Sequence, residues 1–292
     1  MESLLIKGGT RLRGEVRISG AKNAVLPIMA GALLTREKCV IKNAPDLRDV
    51  RTMCRILASL GAKVEISGNT ITIEADQITG VGDYELIRQM RGSICILGPL
   101  LGRLGKAKVS LPGGCVIGVR PIDLHIKGLK ALGAKTRTSG GYVHVSGARL
   151  KGTEMFLGGR SGPTVLGTIN IAMAAALADG VTVIDSAACE PEVVDACDFL
   201  NAMGAKIQGA GSPTIRITGV KKLHGCTHTV IPDRIECATY AIAAAATNGE
   251  ITIKGGRTDH LQAVVDKLWE AGVKVEKRGR DIWVKRGGRL KS

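Results

Sequence analysis

The sequence predicts an α/β chain of inside-out design: a barrel-like domain of three helix–strand repeats with helices within and sheets outside, beside an incomplete second domain of the same kind. Three observations predict it. One phrase recurs four times at a period of about seventy residues. The helix leading into each recurrence is apolar on every side, as a helix buried inside a domain must be. The composition is 45% apolar and 23% charged with only two Trp, three Tyr and two Phe, so Ala, Val, Ile and Leu must build the core.

The recurring phrase reads "DLRDVRTMCRILASLGAKVEISGNTITI" (46–73), "RPIDLHIKGLKALGAKTRTSGGYVHV" (120–145), "EPEVVDACDFLNAMGAKIQGAGSPTIRI" (190–217) and "RTDHLQAVVDKLWEAGVKVEKRGRDIWV" (257–284). Each opens with apolar residues at helical intervals, such as Val194, Cys197, Leu200 and Met203. Each then reaches a glycine, Gly61, Gly133, Gly204 or Gly272, which tolerates the left-handed conformation that ends a helix. Two short alternating strands around a Gly-, Ser- or Asn-containing turn follow. Upstream of each phrase lies the apolar helix, running into another strand, as in "TVLGTINIAMAAALADGVTVIDSA". The unit is therefore helix, strand, helix, strand, strand. Residues 20–229 hold three units in one closed domain that carries a cysteine loop. Residues 230–292 hold the first repeat of the second domain, to which the strand in 1–19 also belongs. Solenoid stacking is the rival, but solenoid repeats are usually shorter, roughly 20–45 residues.

Charge points to an anionic ligand, since 41 Lys plus Arg stand against 26 Asp plus Glu. The basic residues form no run and the aromatics no stacking platform, which favours small phosphorylated molecules over nucleic acid. The N-terminus lacks a signal peptide's long apolar stretch. The best membrane candidate, 164–184, is interrupted by Asn170, Asp179 and Gly180, so neither a membrane nor a secreted location is expected. Eight cysteines form no C-x-x-C pair and sit mostly in apolar runs, as reduced core thiols do, which places the chain in the cytoplasm.

Three stretches carry candidate chemistry. In "ISGAKNAVLPIMAG", Lys22 and Asn23 stand where a Ser-Gly turn enters an apolar helix, close to the helix's positive end, which suits a phosphate. A capped helix with a solvated lysine would read the same way. Arg91 in "LIRQMRGS" and Arg160, Ser161, Gly162 and Thr164 in "GGRSGPTVLG" take matching places in the next two repeats. Basic residues in repeat register would surround an anionic pocket.

The loop "VSLPGGCVIGVRP" places Cys115 on glycine-flanked backbone with Arg120 close enough in sequence to favour the thiolate. As a thiol it would instead serve as a general acid, and a small hydrophobe is the plainer alternative. The spacing His224, Cys226, His228 would suit a metal only with a second cluster, which the sequence lacks. A turn between strands is the reading, and no metal is expected.

These residues, together with "SGAKNAVLPIMAGALL", "MRGSICILGPLLGRLG", "EPEVVDACDFLNAMGA" and "HTVIPDRIECATYAIAAAA", resemble the UDP-N-acetylglucosamine 1-carboxyvinyltransferases, enolpyruvyl transferases of peptidoglycan synthesis. The resemblance spans essentially the whole sequence and implies the enolpyruvyl transferase fold. It implies transfer of the enolpyruvyl group of phosphoenolpyruvate to the sugar 3-hydroxyl by addition and then elimination of phosphate. Phosphoenolpyruvate and UDP-N-acetylglucosamine would be the small-molecule partners, with no cofactor, and cell-wall biogenesis, cell shape and cell division the setting.

On the same resemblance Cys115 is the general acid towards the phosphoenolpyruvate methylene. Lys22, Arg91 and Arg120 are the cations on phosphate, Asn23 helps position phosphoenolpyruvate, and Arg120, Pro121, Ile122, Asp123 and Leu124 form the uridine strip. Asp233 and Arg234 resemble an element near the domain junction. The chain departs from the family at 160–164, where a lysine and a "VSVG"-like string are usual. It also has four repeats where the family has six, roughly 420 residues at this spacing. A C-terminally truncated transferase is thus implied, whose unpaired apolar face would favour self-association. The alternatives are a non-catalytic fragment that keeps phosphate or nucleotide-sugar binding and a basic nucleic-acid-binding protein.

Overall fold

The computed structural model describes residues 3, 5–113, 121–160 and 162–291. After β1 (Arg13–Arg17), the first repeat runs α1 (Lys22–Gly31), β2 (Cys39–Lys42), α2 (Arg48–Ser59), β3 (Lys63–Ser67) and β4 (Thr70–Glu74). A short α3 (Tyr84–Arg88) leads to a 3-10 turn, Arg91–Ile96, and the second repeat continues as α4 (Leu97–Leu104), β5 (Lys106–Ser110), α5 (Asp123–Ala131), β6 (Lys135–Ser139) and β7 (Tyr142–Ser146). The third comprises β8 (Glu154–Phe156), α6 (Val165–Ala175), β9 (Val181–Asp185), α7 (Pro191–Ala202), β10 (Lys206–Gln208) and β11 (Thr214–Thr218). Beyond β12 (Thr227–Thr229) come α8 (Arg234–Ala246), β13 (Glu250–Lys254), α9 (Gln262–Glu270), β14 (Val273–Arg278) and β15 (Asp281–Arg286).

The four marker glycines end α2, α5, α7 and α9 with φ of +103°, +92°, +97° and +85°. A side chain would strain each of these positions, so the repeat is punctuated where only glycine sits without cost. Strand order repeats as well. The sheets read β12-β2-β4-β3, β5-β7-β6, β8-β9-β11-β10 and β1-β13-β15-β14, each with an antiparallel hairpin on the strand that follows the apolar helix. The outer strand of the four-stranded sheets is parallel to its neighbour, and a single bridge from Val81 to Lys108 takes that place beside β5.

The chain divides into two compact units, Lys22–Ile231 and Met1–Ala21 with Pro232–Ser292. In the first, α1, α4 and α6 form the interior. Val25, Ile28, Met29, Leu97, Leu100, Ile169 and Ile171 are fully buried. Helix α4 crosses α6 at Gly98, where a β-carbon would run into the Asn170 backbone carbonyl, so the two backbones touch because that residue has no side chain. The three sheets lie outside these helices as separate, open sheets, so the domain is closed by helix packing and by β12 returning to β2. Among the described residues no continuous barrel of strands forms.

The stretch His224–His228 is corrected from a turn to the approach and centre of β12. His228 lies within the strand, and its Nε2 meets Asp195 Oδ1 on α7 at 2.9 Å, while His224 Nδ1 lies 3.0 Å from the Gly225 carbonyl. Ile231 N also donates to Asp195 Oδ2 at 3.3 Å, and the Phe199 ring meets His228 edge-on with centroids 5.6 Å apart. One buried carboxylate therefore fastens the returning strand to the third repeat.

In the other unit α8 buries Cys237, Ala241, Ala244 and Ala245 against β13 and β15, with Ile253, Ile282 and Val284 beneath. Its remaining apolar side chains differ from those of α1, α4 and α6. Ile235 is 51% exposed and Ile242 52%. Among the described residues, no helix is long and apolar enough to cross a membrane.

Candidate functional site

Three of the candidate positions open buried helices, which is why they fall in repeat register. Lys22 is the first residue of α1, Arg91 the first of the turn that enters α4, and Thr164 the cap of α6, its Oγ1 accepting from Gly167 N at 3.2 Å. The first N–H groups of such helices have no partner within the helix and carry partial positive charge, so these ends attract anions.

A cleft of about 650 Å³ gathers seven of the candidates: Arg91, Pro121, Asp123, Leu124, Arg160, Gly162 and Thr164 line it, with Val165 and Leu166 from the first turn of α6. Arg91 Nη2 donates to the Pro121 carbonyl at 3.4 Å, which ties the cation to the strip leading into α5. Gly159 and Gly162 exchange both backbone hydrogen bonds, at 3.0 and 3.1 Å, a tight turn that presents Arg160 at its exposed tip. Ile122 faces an adjoining cavity of about 770 Å³ that it shares with Pro121, Asp123, Lys127 and Lys130. The arrangement can hold a phosphorylated ligand between two guanidinium groups and the start of α6.

Lys22 does not line that cleft. Its Nζ lies 3.3 Å from Asp49 Oδ2 in the first turn of α2, both side chains being partly exposed, and Asn23 is exposed beside it. Asp233 caps α8, its Oδ1 accepting from Ile235 N at 2.8 Å and Glu236 N at 3.0 Å, and its own N–H donates to the Ser19 carbonyl at 2.9 Å. Arg234 is the first residue of that helix. Cys115, Arg120 and Ser161 lie outside the described residues.

Two residues near the cleft escaped the sequence reading. His125 follows the strip directly, is 1% exposed, and meets Asn170 Nδ2 at 2.9 Å through Nδ1. Burial, and then the positive charge of Arg91, push its pKa down to about 4 against the opposing pull of Asp123, so the ring is uncharged near neutrality. Asn170 was noticed only as an interruption of an apolar run. An amide in such a helix must find partners or carry a desolvation penalty, and that was the signal available.

Of the seven described cysteines five are buried, and of these only Cys39, through its hydrogen bond with Cys226, has its pKa lowered. Cys39, Cys54, Cys95, Cys197 and Cys237 are buried, and burial pushes Cys54 up to about 11 and Cys95, Cys197 and Cys237 up to about 12. Cys226 is half-buried and raised by its hydrogen bond with Cys39; Cys189 is exposed. Among the described residues no three His, Cys, Asp or Glu side chains gather as a metal site would require.

The fold is that of an enolpyruvyl transferase. The structure matches the enolpyruvyl transferase NikO from Streptomyces tendae with a TM-score of 0.82 at 25% identity, over 95% of this chain and 66% of that one. It also matches EPSP synthase from Acinetobacter baumannii with a TM-score of 0.73 at 19% identity, over 95% and 65%. Residues 6–292 fit the family model described as EPSP synthase (3-phosphoshikimate 1-carboxyvinyltransferase).

Within that class, the chain belongs to the UDP-N-acetylglucosamine 1-carboxyvinyltransferase family. It is 50% identical over 292 residues to the enzyme of that name from Methylacidiphilum infernorum, covering all of this chain and 69% of the relative. It is 51% identical to UDP-N-acetylglucosamine 1-carboxyvinyltransferase 2 of Carboxydothermus hydrogenoformans, covering all of this chain and 70% of that one. The chain thus spans about two thirds of the length of the relatives it matches.

Proposed function

We propose that this polypeptide transfers the enolpyruvyl group of phosphoenolpyruvate to the 3-hydroxyl of UDP-N-acetylglucosamine with release of phosphate, the first committed step of peptidoglycan synthesis. The observation that carries the reading is half-identity over the whole chain to enzymes of that name, with Arg91, Arg160 and the start of α6 lining one cleft in support.

In the first stage the sugar oxygen adds to C2 of phosphoenolpyruvate and gives up its hydroxyl proton, while the C3 methylene takes a proton from the Cys115 thiol. In the second, the C2–O bond to phosphate breaks, the phosphate leaves with a proton equivalent to the one the hydroxyl lost, and a methyl proton returns to the Cys115 thiolate as the vinyl group re-forms. Lys22 and Arg120 offset the phosphate charge and Asn23 orients phosphoenolpyruvate. Fixed cations of this kind lower the barrier because they need no reorganisation as charge develops. Arg91, expected from the resemblance among the phosphate cations with Lys22 and Arg120, is assigned instead to the diphosphate with Arg160, Ser161, Gly162 and Thr164, because it lines the cleft with Arg160. The strip Arg120, Pro121, Ile122, Asp123 and Leu124 takes the uridine. Asp233 and Arg234 brace the start of α8. Phosphoenolpyruvate is consumed as a co-substrate, so the reaction uses no cofactor or metal, and its products serve wall growth, cell shape and division from the cytoplasm.

A phosphonate epoxide such as fosfomycin tests the thiol. Cys115 is expected to be alkylated first of the eight cysteines, and faster when UDP-N-acetylglucosamine is present, as read by peptide mass mapping. Equal labelling of the exposed Cys189 would remove the special status of Cys115. Phosphate release with both substrates saturating separates turnover from mere binding: nucleotide-sugar binding without release would return the binding-only reading.

Self-association is part of the proposal. The exposed Ile235 and Ile242 on α8 form the kind of apolar surface that α1, α4 and α6 bury in the other unit. Sedimentation at increasing concentration is expected to show a reversible oligomer that Ile242→Lys disperses, and a monomer at every concentration would refute it.

A further inference from the structure

Asn170 lies in the middle of α6 with no exposed surface, and every polar atom of its carboxamide is engaged. Its Oδ1 accepts from Gly98 N at 2.5 Å, and its Nδ2 donates to the Ile94 carbonyl at 3.0 Å and faces His125 Nδ1 at 2.9 Å. A backbone N–H can only donate and a carbonyl can only accept, so these two partners fix which end of the amide is which. His125 Nδ1 must then accept, and the ring carries its proton on Nε2.

The network reaches three segments that also line the cleft. Ile94 is three positions beyond Arg91, His125 follows Asp123 and Leu124, and Asn170 is on the helix whose first turn supplies Val165 and Leu166. We propose that Asn170 is a positioning residue for the nucleotide-sugar cleft: its single carboxamide fixes the spacing of the Arg91 turn, the start of α5 and the start of α6, and holds the His125 ring in the tautomer protonated on Nε2. The inference rests on the function proposed above, because it assigns that cleft to the nucleotide sugar. It locates the control of ligand affinity in a buried amide that would touch no ligand.

The charges that act on His125 among the described residues are Arg91 and Asp123, while α6 presents to it the neutral Asn170 amide. Asn170→Asp would keep an acceptor for Gly98 N–H and lose both donors. The new carboxylate would favour a protonated imidazole, whose Nδ1–H donates to it. Affinity for UDP-N-acetylglucosamine, measured by calorimetry, is expected to be flat from about pH 6 to 8 in the native protein. In Asn170→Asp it is expected to weaken about tenfold over that window as the imidazolium loses its charge beside an anion. A variant as flat as the native protein overturns the proposal.

Should the variant fail to fold, the ligand-free native protein decides. Its His125 ring is expected to carry the proton on Nε2 and none on Nδ1 from about pH 6 to 8, as read from the two ring nitrogen resonances. A ring protonated on Nδ1 overturns the proposal without any substitution. A native protein that binds no UDP-N-acetylglucosamine at any pH would sink the functional reading instead, and the ring tautomer would still report whether Asn170 holds His125.

Discussion

Asp195→Ala is expected to lower the unfolding free energy by about 3 kcal/mol, since each buried donor left without an acceptor costs about 1–3 kcal/mol. Asp195 is 3% exposed on α7 and holds both His228 Nε2 and Ile231 N, so its loss strands two donors at once. Such a change is a large part of the 5–15 kcal/mol that typically separates a folded domain from its unfolded chain. Urea denaturation measures the total, and hydrogen exchange at Thr227–Thr229 shows whether β12 is the element released. Asp195→Asn keeps an acceptor at the same place and should recover much of the loss. If Asp195→Ala melts within 1 kcal/mol of the native chain, the carboxylate does not hold the strand, and packing of Phe199 on His228 must do so.

The second large effect falls on binding. Arg91→Ala is expected to weaken UDP-N-acetylglucosamine about 10- to 100-fold, because a hydrogen bond between charged groups contributes about 1.5–3 kcal/mol. Urea denaturation of the same variant separates a loss of binding from a loss of folding stability. Arg91→Lys should recover only part of the affinity, because an ammonium has no planar fork for a phosphate and a carbonyl together. Calorimetry at two salt concentrations checks both points. Unchanged affinity in Arg91→Ala would mean that the cleft lined by Arg91 and Arg160 is not where the diphosphate sits.

The features that could be read from residues alone were local ones. Gly61, Gly133, Gly204 and Gly272 were legible because a helix end that needs positive φ selects glycine at that one position. Helices α1, α4 and α6 were legible because a helix with no charged face, carrying at most one charge near its end, has nowhere to go but inside. Arg91 and Arg160 were legible together because the repeat put them at equivalent places, and both line one cleft; Pro121, Asp123 and Leu124, which line it too, were read only through the family resemblance.

Pairing over long distances left no such mark. Nothing in "CTHTV" states that residues 227–229 will lie beside 40–42, so His228 was read as part of a turn. Lys22 had the right place at a helix start, but its ion pair with Asp49 depends on how α2 packs against α1, which local patterns do not encode.

The exchange of outer strands has a consequence for how the chain acquires its shape. Segment β1 precedes the first repeat yet joins the fourth, Arg13 pairing with Glu250, while β12 precedes the fourth yet joins the first, Thr227 pairing with Val40. Loop-closure entropy must therefore be met twice over most of the sequence before either sheet has its full complement, which raises contact order and slows folding. During synthesis the edge of β2 must wait, unpaired, until residue 229 has left the ribosome. That interval is when an open strand edge is most exposed to the wrong neighbour, and when a chaperone has most to offer this polypeptide.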